Sequence, residues 1–200
     1  MPDAVRKPAY APVDGPTDEE LFRAYVHGDD AAFRVLFERY LPILMRLTIR
    51  SLRSEEMARE ITQQAMFQAH NARFDFDLSR KFKPWIFTIA MNLVREHFRR
   101  AKRRRQSAID PADLASPDHE KPLPMEVDDR KRALREALEQ LPPNQREVVE
   151  LHWFQELPFA QVAEIVGASE GAVRVRAHRG YKSLKSLLEQ SLRNNSGGRP

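Results

Sequence analysis

The chain has 200 residues, a formal charge of +4, 31% charged residues and no cysteine. That length holds one large domain or two small ones, and the missing thiols exclude disulfides, thiolate catalysis and cysteine-based zinc sites. No apolar run approaches the ~20 residues of a membrane span and the first residues lack the apolar core of a signal peptide, so a cytoplasmic chain without membrane insertion is expected.

Residues 1–16 are proline-rich and aperiodic, the composition of a disordered tail. Order begins at T-D-E-E, where Thr17 and Glu20 have the spacing of a capping box and Leu21, Phe22, Tyr25 and Val26 follow. Gly28-Asp29-Asp30 breaks this helix. A second helix is expected from Ala31 to about Arg53, carrying Phe33, Leu36, Phe37, Tyr40, Leu41, Leu44 and Leu47. Pro42 inside it predicts a kink or a boundary near Tyr40. Ser54 is placed to cap a third helix, Glu55 to about Asn71.

The loop R-F-D-F-D-L-S-R-K-F-K, Arg73 to Lys83, mixes cations with aromatics. Such a mixture is commonly a solvated connector, here pinned by Phe74 and Phe82. It also suits single-stranded nucleic acid, since bases stack on aromatic faces for ~1–3 kcal/mol each while cations follow the backbone. The stretch that follows, F-K-P-W-I-F-T-I-A-M-N-L-V-R-E-H-F-R-R-A-K-R-R-R, organises the N-terminal half. Pro84 reads as a helix start. Trp85, Ile86, Ile89, Ala90, Leu93 and Val94 form the expected apolar face, extended by Phe87, Met91 and Phe98. Opposite them Thr88, Asn92, Arg95 and Arg99 recur at i, i+4, i+7 and i+11 as one polar stripe. The helix dipole accounts for one or two cations in a last turn, whereas Arg100, Lys102, Arg103, Arg104 and Arg105 make a run of the kind that meets phosphate.

Residues 106–128, with four prolines and many acids, read as a flexible linker. The C-terminal block opens near Asp129 with a short helix bearing Leu134, Leu138 and Leu141, ended by Pro142-Pro143. The second proline is placed to open a helix that reaches Phe154. Phe159 to Val166 predicts a two-turn helix, Gly167 a turn in which positive φ is cheap, and Ser169 the cap of a further helix. Ala163, Gly167 and Val173 stand at the fifth, ninth and fifteenth places from Phe159, a helix-turn-helix spacing. On the second helix Arg174, Arg176, His178 and Arg179 are expected to be exposed. Arginine there pairs two-pronged with guanine, and Lys182 and Lys185 suit phosphates. Glu170 is read as serving the helix dipole. Two cationic surfaces flanking an acidic spacer imply two contacts on a long anionic partner.

Together these segments resemble the bacterial RNA polymerase sigma factors of the extracytoplasmic-function (ECF) group. F-K-P-W-I-F-T-I-A-M-N is similar to the region 2 signature F-x-x-W-(I/L)-x-x-I-A-x-N. The region 4 likeness rests on L-P-x-x-Q-R-E-V at Leu141 to Val148 and on the helix-turn-helix. The resemblance implies an all-α fold of two small helical domains, region 2 over 17–105 and region 4 over 129–192, joined by the acidic linker, with a tail at 193–200. It implies core RNA polymerase, promoter DNA and an anti-sigma factor as partners, and no catalysis or cofactor of the chain's own.

By the same resemblance Glu60, Ile61, Gln63, Gln64 and Met66 bind polymerase. Gln64 stands where the family carries a carboxylate and Met66 where it carries phenylalanine. Capture of the opened −10 element falls to Arg73, Phe74, Lys83, Trp85, Thr88, Asn92, Arg95 and Arg99. Reading of the −35 duplex falls to Arg174, Arg176, His178, Arg179 and Lys182, with Val175 where a small polar residue is common. An autonomous helix-turn-helix regulator is the alternative, but it leaves the 82–105 helix without a task. A nuclease fits worst: Asp75 and Asp77 have no third ligand patterned with them, and the six histidines are scattered.

Overall fold

The structure is a computed structural model that describes residues 15–107 and 129–196. The expected tail at 1–16 lies outside the described residues except for its last two, and so does the expected linker beyond Ser107. The described residues form eight α-helices and one π-helical turn, in two compact units.

The first unit holds α1 (Asp18–Val26), α2 (Asp30–Leu52), α3 (Glu55–Asn71) and α4 (Phe82–Ser107). Three consecutive acids set its entry. Glu20 completes the capping box with Thr17, and its carboxylate accepts from both the Thr17 amide and the Thr17 hydroxyl, which hold it below the usual range. Asp18 reaches α2, accepting from Arg39 and from the Tyr40 hydroxyl. Glu19 reaches the start of α4, where its Oε1 accepts from the Phe82 amide at 3.2 Å and its Oε2 lies 3.5 Å from Lys81 Nζ. A helix begins with amides that lack intrahelical partners, and Glu19 satisfies one of them from another helix. The α4 helix therefore starts at Phe82, two residues ahead of Pro84, which sits in the first turn where its missing N–H costs nothing.

Ser54 caps α3 as expected, and Asp29, in the break after α1, caps α2. Pro42 sets no boundary: α2 passes through it, and the proline is exposed. Neighbouring Tyr40, Ile43, Leu44 and Leu47 are all buried, so packing holds the helix across the lost hydrogen bond. Thr48 and Thr62, both fully buried, join α2 to α3 through their hydroxyls, 3.2 Å apart.

Under the first turns of α4 lies an aromatic cluster. The fully buried Phe22 ring meets Phe82 at 4.9 Å, Phe76 at 5.1 Å and Trp85 at 5.4 Å between centroids. Such pairs add ~0.5–1.5 kcal/mol beyond the area they bury. The core-facing side of α4 is carried by Ile86, Phe87, Ala90, Met91 and Val94, all buried. Trp85, Ile89 and Leu93 are only half-buried and Phe98 is exposed, so the apolar face is turned from the expected one toward Phe87 and Met91. The cause is tertiary: α4 packs on α1, α2 and α3 together, and their combined surface, rather than the width of the apolar arc, fixes its rotation.

The second unit holds α5 (Asp129–Glu139), α6 (Pro143–Val149), α7 (Phe159–Val166) and α8 (Glu170–Ser196). Pro143 occupies the first position of α6. The α-helix stops at Val149, short of the expected Phe154, and Glu150–Phe154 forms a π-helical turn closed by Gln155 N to Glu150 O at 3.1 Å. Leu138, Leu141 and Val149 form a core joined by Leu134, Trp153, Phe154, Tyr181, Leu184 and Leu187. Gly180 lets α8 approach α6 closely: a Cβ there would lie 2.7 Å from Val149 Cγ2. The helix-turn-helix matches its spacing, with Gly167 at φ 65° and the Ser169 hydroxyl accepting from Ala172 N at 3.3 Å. Val162, Ala163, Ile165 and Val173 are buried at the joint. Helix α8 continues to Ser196, so 193–196 belong to it rather than to a tail.

Candidate nucleic-acid interface

On α4 the polar stripe lies opposite the buried face, and its side chains already have hydrogen-bond partners within the helix. The Thr88 hydroxyl donates to Pro84 O at 2.8 Å, and Arg95 Nη1 donates to Asn92 Oδ1 at 2.7 Å. Asn92 and Arg99 are exposed; Thr88 and Arg95 are half-buried. Trp85 borders the stripe, seven residues before Asn92, with the Phe76 ring 4.4 Å from its own. Lys83 does not join them. It is half-buried and in the i, i+4, i+7, i+11 row of Phe87, Ala90 and Val94, the side that faces the bundle.

In the loop before α4 the aromatics divide their tasks. Phe82 and the half-buried Phe76 pin the loop through Phe22 and Trp85. Phe74 does not: it is 68% exposed, with the Arg73 guanidinium 4.3 Å from its ring centroid. A cation stacked on an open aromatic face offers both a charge and a stacking surface. Asp77 is spent on the turn, accepting from the Ser79 amide at 2.9 Å and its hydroxyl at 2.7 Å, and these bonds lower its pKa. Among the described residues no group of three His, Asp or Glu side chains could hold a metal ion.

On α8 the exposed face carries Arg174, Val175, His178, Arg179 and Lys182. Arg176 leaves this group. It is half-buried and lies round the helix from Arg174, because two residues turn an α-helix by more than half a circle. Arg174 is held in place: its Nε donates to Glu170 Oε1 at 3.0 Å, and its guanidinium lies 4.8 Å from the Phe159 ring centroid. The same ring stacks with His152 at 3.9 Å, and His152 Nδ1 lies 2.7 Å from Leu157 O. Glu170 thus positions the leading arginine of the helix-turn-helix as well as standing in the first, dipole-favoured turn.

Comparison with known proteins decides the family. The sigma-70 region 2 model matches residues 36–104, and the sigma-70 region 4 model matches residues 131–184. RNA polymerase sigma factor CarQ of Myxococcus xanthus is 32% identical over 166 residues, covering 80% of this chain and 91% of that protein. ECF RNA polymerase sigma factor SigM of Mycobacterium tuberculosis is 31% identical over 172 residues, covering 86% and 85%. The chain belongs to the ECF RNA polymerase sigma factors. The fold agrees: sigma factor RpoE of Bartonella quintana, solved with the anti-sigma factor NepR, superposes with a TM-score of 0.62 at 23% identity, covering 78% of this chain and 96% of that one.

In this sigma factor the α3 residues that resemble the polymerase-binding motif separate by burial. Ile61 and Met66 are buried in the bundle and anchor α3, so they present no surface to a partner. Glu60, Gln63 and Gln64 are exposed in one row, which continues to Phe67 at 63% exposure. Phe67 escaped the sequence reading, although an aromatic in register with three polar residues is a signal the spacing contained.

Proposed function

We propose that the two units of this sigma factor divide promoter recognition. The first binds core RNA polymerase through the exposed row of α3, with Glu60, Gln63, Gln64 and Phe67. It then captures the opened −10 strand along Asn92, Arg95 and Arg99, beside Trp85 and the Arg73–Phe74 stack. Unstacking a duplex step costs a few kcal/mol, and a protein that consumes no nucleotide recovers this only by holding the extruded bases. The second unit reads the −35 duplex with Arg174, His178 and Arg179, while Lys182 takes a phosphate. Because both contacts lie on one chain, the first would raise the effective concentration of the second. The chain itself catalyses nothing in this scheme and works in the cytoplasm, with polymerase. An anti-sigma factor, such as the one solved with the Bartonella quintana relative, is the expected restraint.

The observation that carries the reading is the continuous polar and cationic stripe on α4, set opposite its buried face and bordered by the half-buried Trp85. Run-off transcription with core polymerase on a cognate promoter tests it. The double variant Asn92→Ala/Arg99→Ala is expected to retain polymerase binding and −35 duplex binding while strand opening, read by permanganate reactivity at −10, is lost. Normal opening by the folded variant would refute the assignment.

A further inference from the structure

Glu96 is the only acid between Phe82 and Arg104, and three arginines converge on it. Arg99 Nη2 lies 2.6 Å from its Oε2; Arg100 Nε and Arg103 Nη2 lie 2.9 Å and 3.3 Å from its Oε1. Pairs three and four residues apart are ordinary on a solvated helix. Arg103, seven residues on, is not such a neighbour; it reaches back two turns to the same carboxylate. The arginine side chains remain 70%, 67% and 70% exposed, whereas that of Glu96 is 28% exposed beneath them. Glu96, Arg99, Lys102 and Arg103 line a shallow basin on this face. The hydrogen bond from Arg100, helped by the nearby charges, lowers the carboxyl pKa, so the group is anionic at neutral pH.

We propose that Glu96 is a built-in counter-anion: it occupies a phosphodiester site formed by Arg99, Arg100 and Arg103 and loosens the chain's hold on nucleic acid until a backbone phosphate displaces it. A carboxylate and a phosphate oxygen offer guanidinium the same charge-assisted acceptor. Exposed ion pairs are individually weak, so the arginines can exchange one acceptor for the other. The effect falls on sequence-independent binding, which depends on the number of phosphates neutralised. It rests on α4 meeting DNA, as proposed above.

Fluorescence anisotropy of the full chain on a single-stranded oligonucleotide without promoter sequence, across a salt series, tests the idea. Glu96→Gln is expected to lower Kd about 3–10-fold at 0.1 M salt and to steepen the slope of log K against log salt by about one. In an Arg100→Ala/Arg103→Ala background the same substitution should change little. Unchanged or weaker binding by folded Glu96→Gln overturns the proposal. So does a gain that persists without Arg100 and Arg103, which would reflect net charge alone. Should Glu96→Gln lose helicity, Glu96→Asp, which keeps the charge and shortens the reach, must tighten binding or the proposal fails. If Asn92→Ala/Arg99→Ala also left binding unchanged, the failure would lie with the reading of α4 as a DNA-facing helix.

Discussion

Helix α4 is seated on large rings: Phe22, Phe76, Phe82 and Trp85 fill the space beneath its first turns. Helix α8 is seated by close approach, with Gly180 against Val149, in a core that mixes leucines with Trp153, Phe154 and Tyr181. Their cations differ as well. Arg99, Arg100 and Arg103 of α4 share the one carboxylate of Glu96, whereas Arg174 of α8, similarly open to solvent, has Glu170 as its own acceptor and lies against the Phe159 ring. A helix proposed to follow a flexible single strand gains from cations that share one acceptor and can leave it for successive phosphates. One that reads a rigid duplex gains from an arginine whose position is set beforehand, since ordering it on binding would cost side-chain entropy.

The largest way to break this contrast is Phe22→Ala, which removes the centre of the ring cluster. A loss of about 3–5 kcal/mol is expected for a fully buried phenylalanine, read by urea unfolding; a smaller loss than for Val149→Ala would show that the rings are not the floor of α4. Next comes the fixed arginine. Arg174→Ala is expected to cost about 1–3 kcal/mol of base discrimination at one −35 position, measured with holoenzyme on single-base promoter variants. Arg176→Ala should cost much less, and equal effects would contradict the orientation of α8. Gly180→Ala sharpens the point about close approach. Overpacking costs about 1–3 kcal/mol against a helix-propensity gain of at most about 1 kcal/mol, so the melting temperature should fall; a rise would mean that Val149 yields freely.

The smallest effect concerns entry into the bundle. Thr17→Ala should cost about 0.5–2 kcal/mol as a lost cap. Thr17 lowers the folded pKa of Glu20, so the contribution of that carboxylate is present at neutral pH and lost as pH falls through the folded pKa. Wild-type stability should therefore decline more steeply in acid than that of the variant, and parallel curves would refute the link.

The local chemistry of the chain determined a great deal. Thr17, Ser54, Gly167 and Ser169 do what their spacing requires, and the 3.6-residue period placed Thr88, Asn92, Arg95 and Arg99 on one side of α4. Caps and helix faces involve neighbours a few residues apart, so their partners stand in the same stretch of sequence. Tertiary packing decided what no local pattern holds. Glu19 caps α4 from α1, Phe76 rather than Phe74 pins the loop, Lys83 and Arg176 turn away from the faces they were expected to join, and Ile61 and Met66 are buried. The convergence of three arginines on Glu96 falls between the two: pairing at i+3 and i+4 is legible along the helix, but the reach of Arg103 depends on side-chain conformation in three dimensions. Rotation of a helix about its axis is set by every surface it touches at once, and those surfaces are remote in the chain.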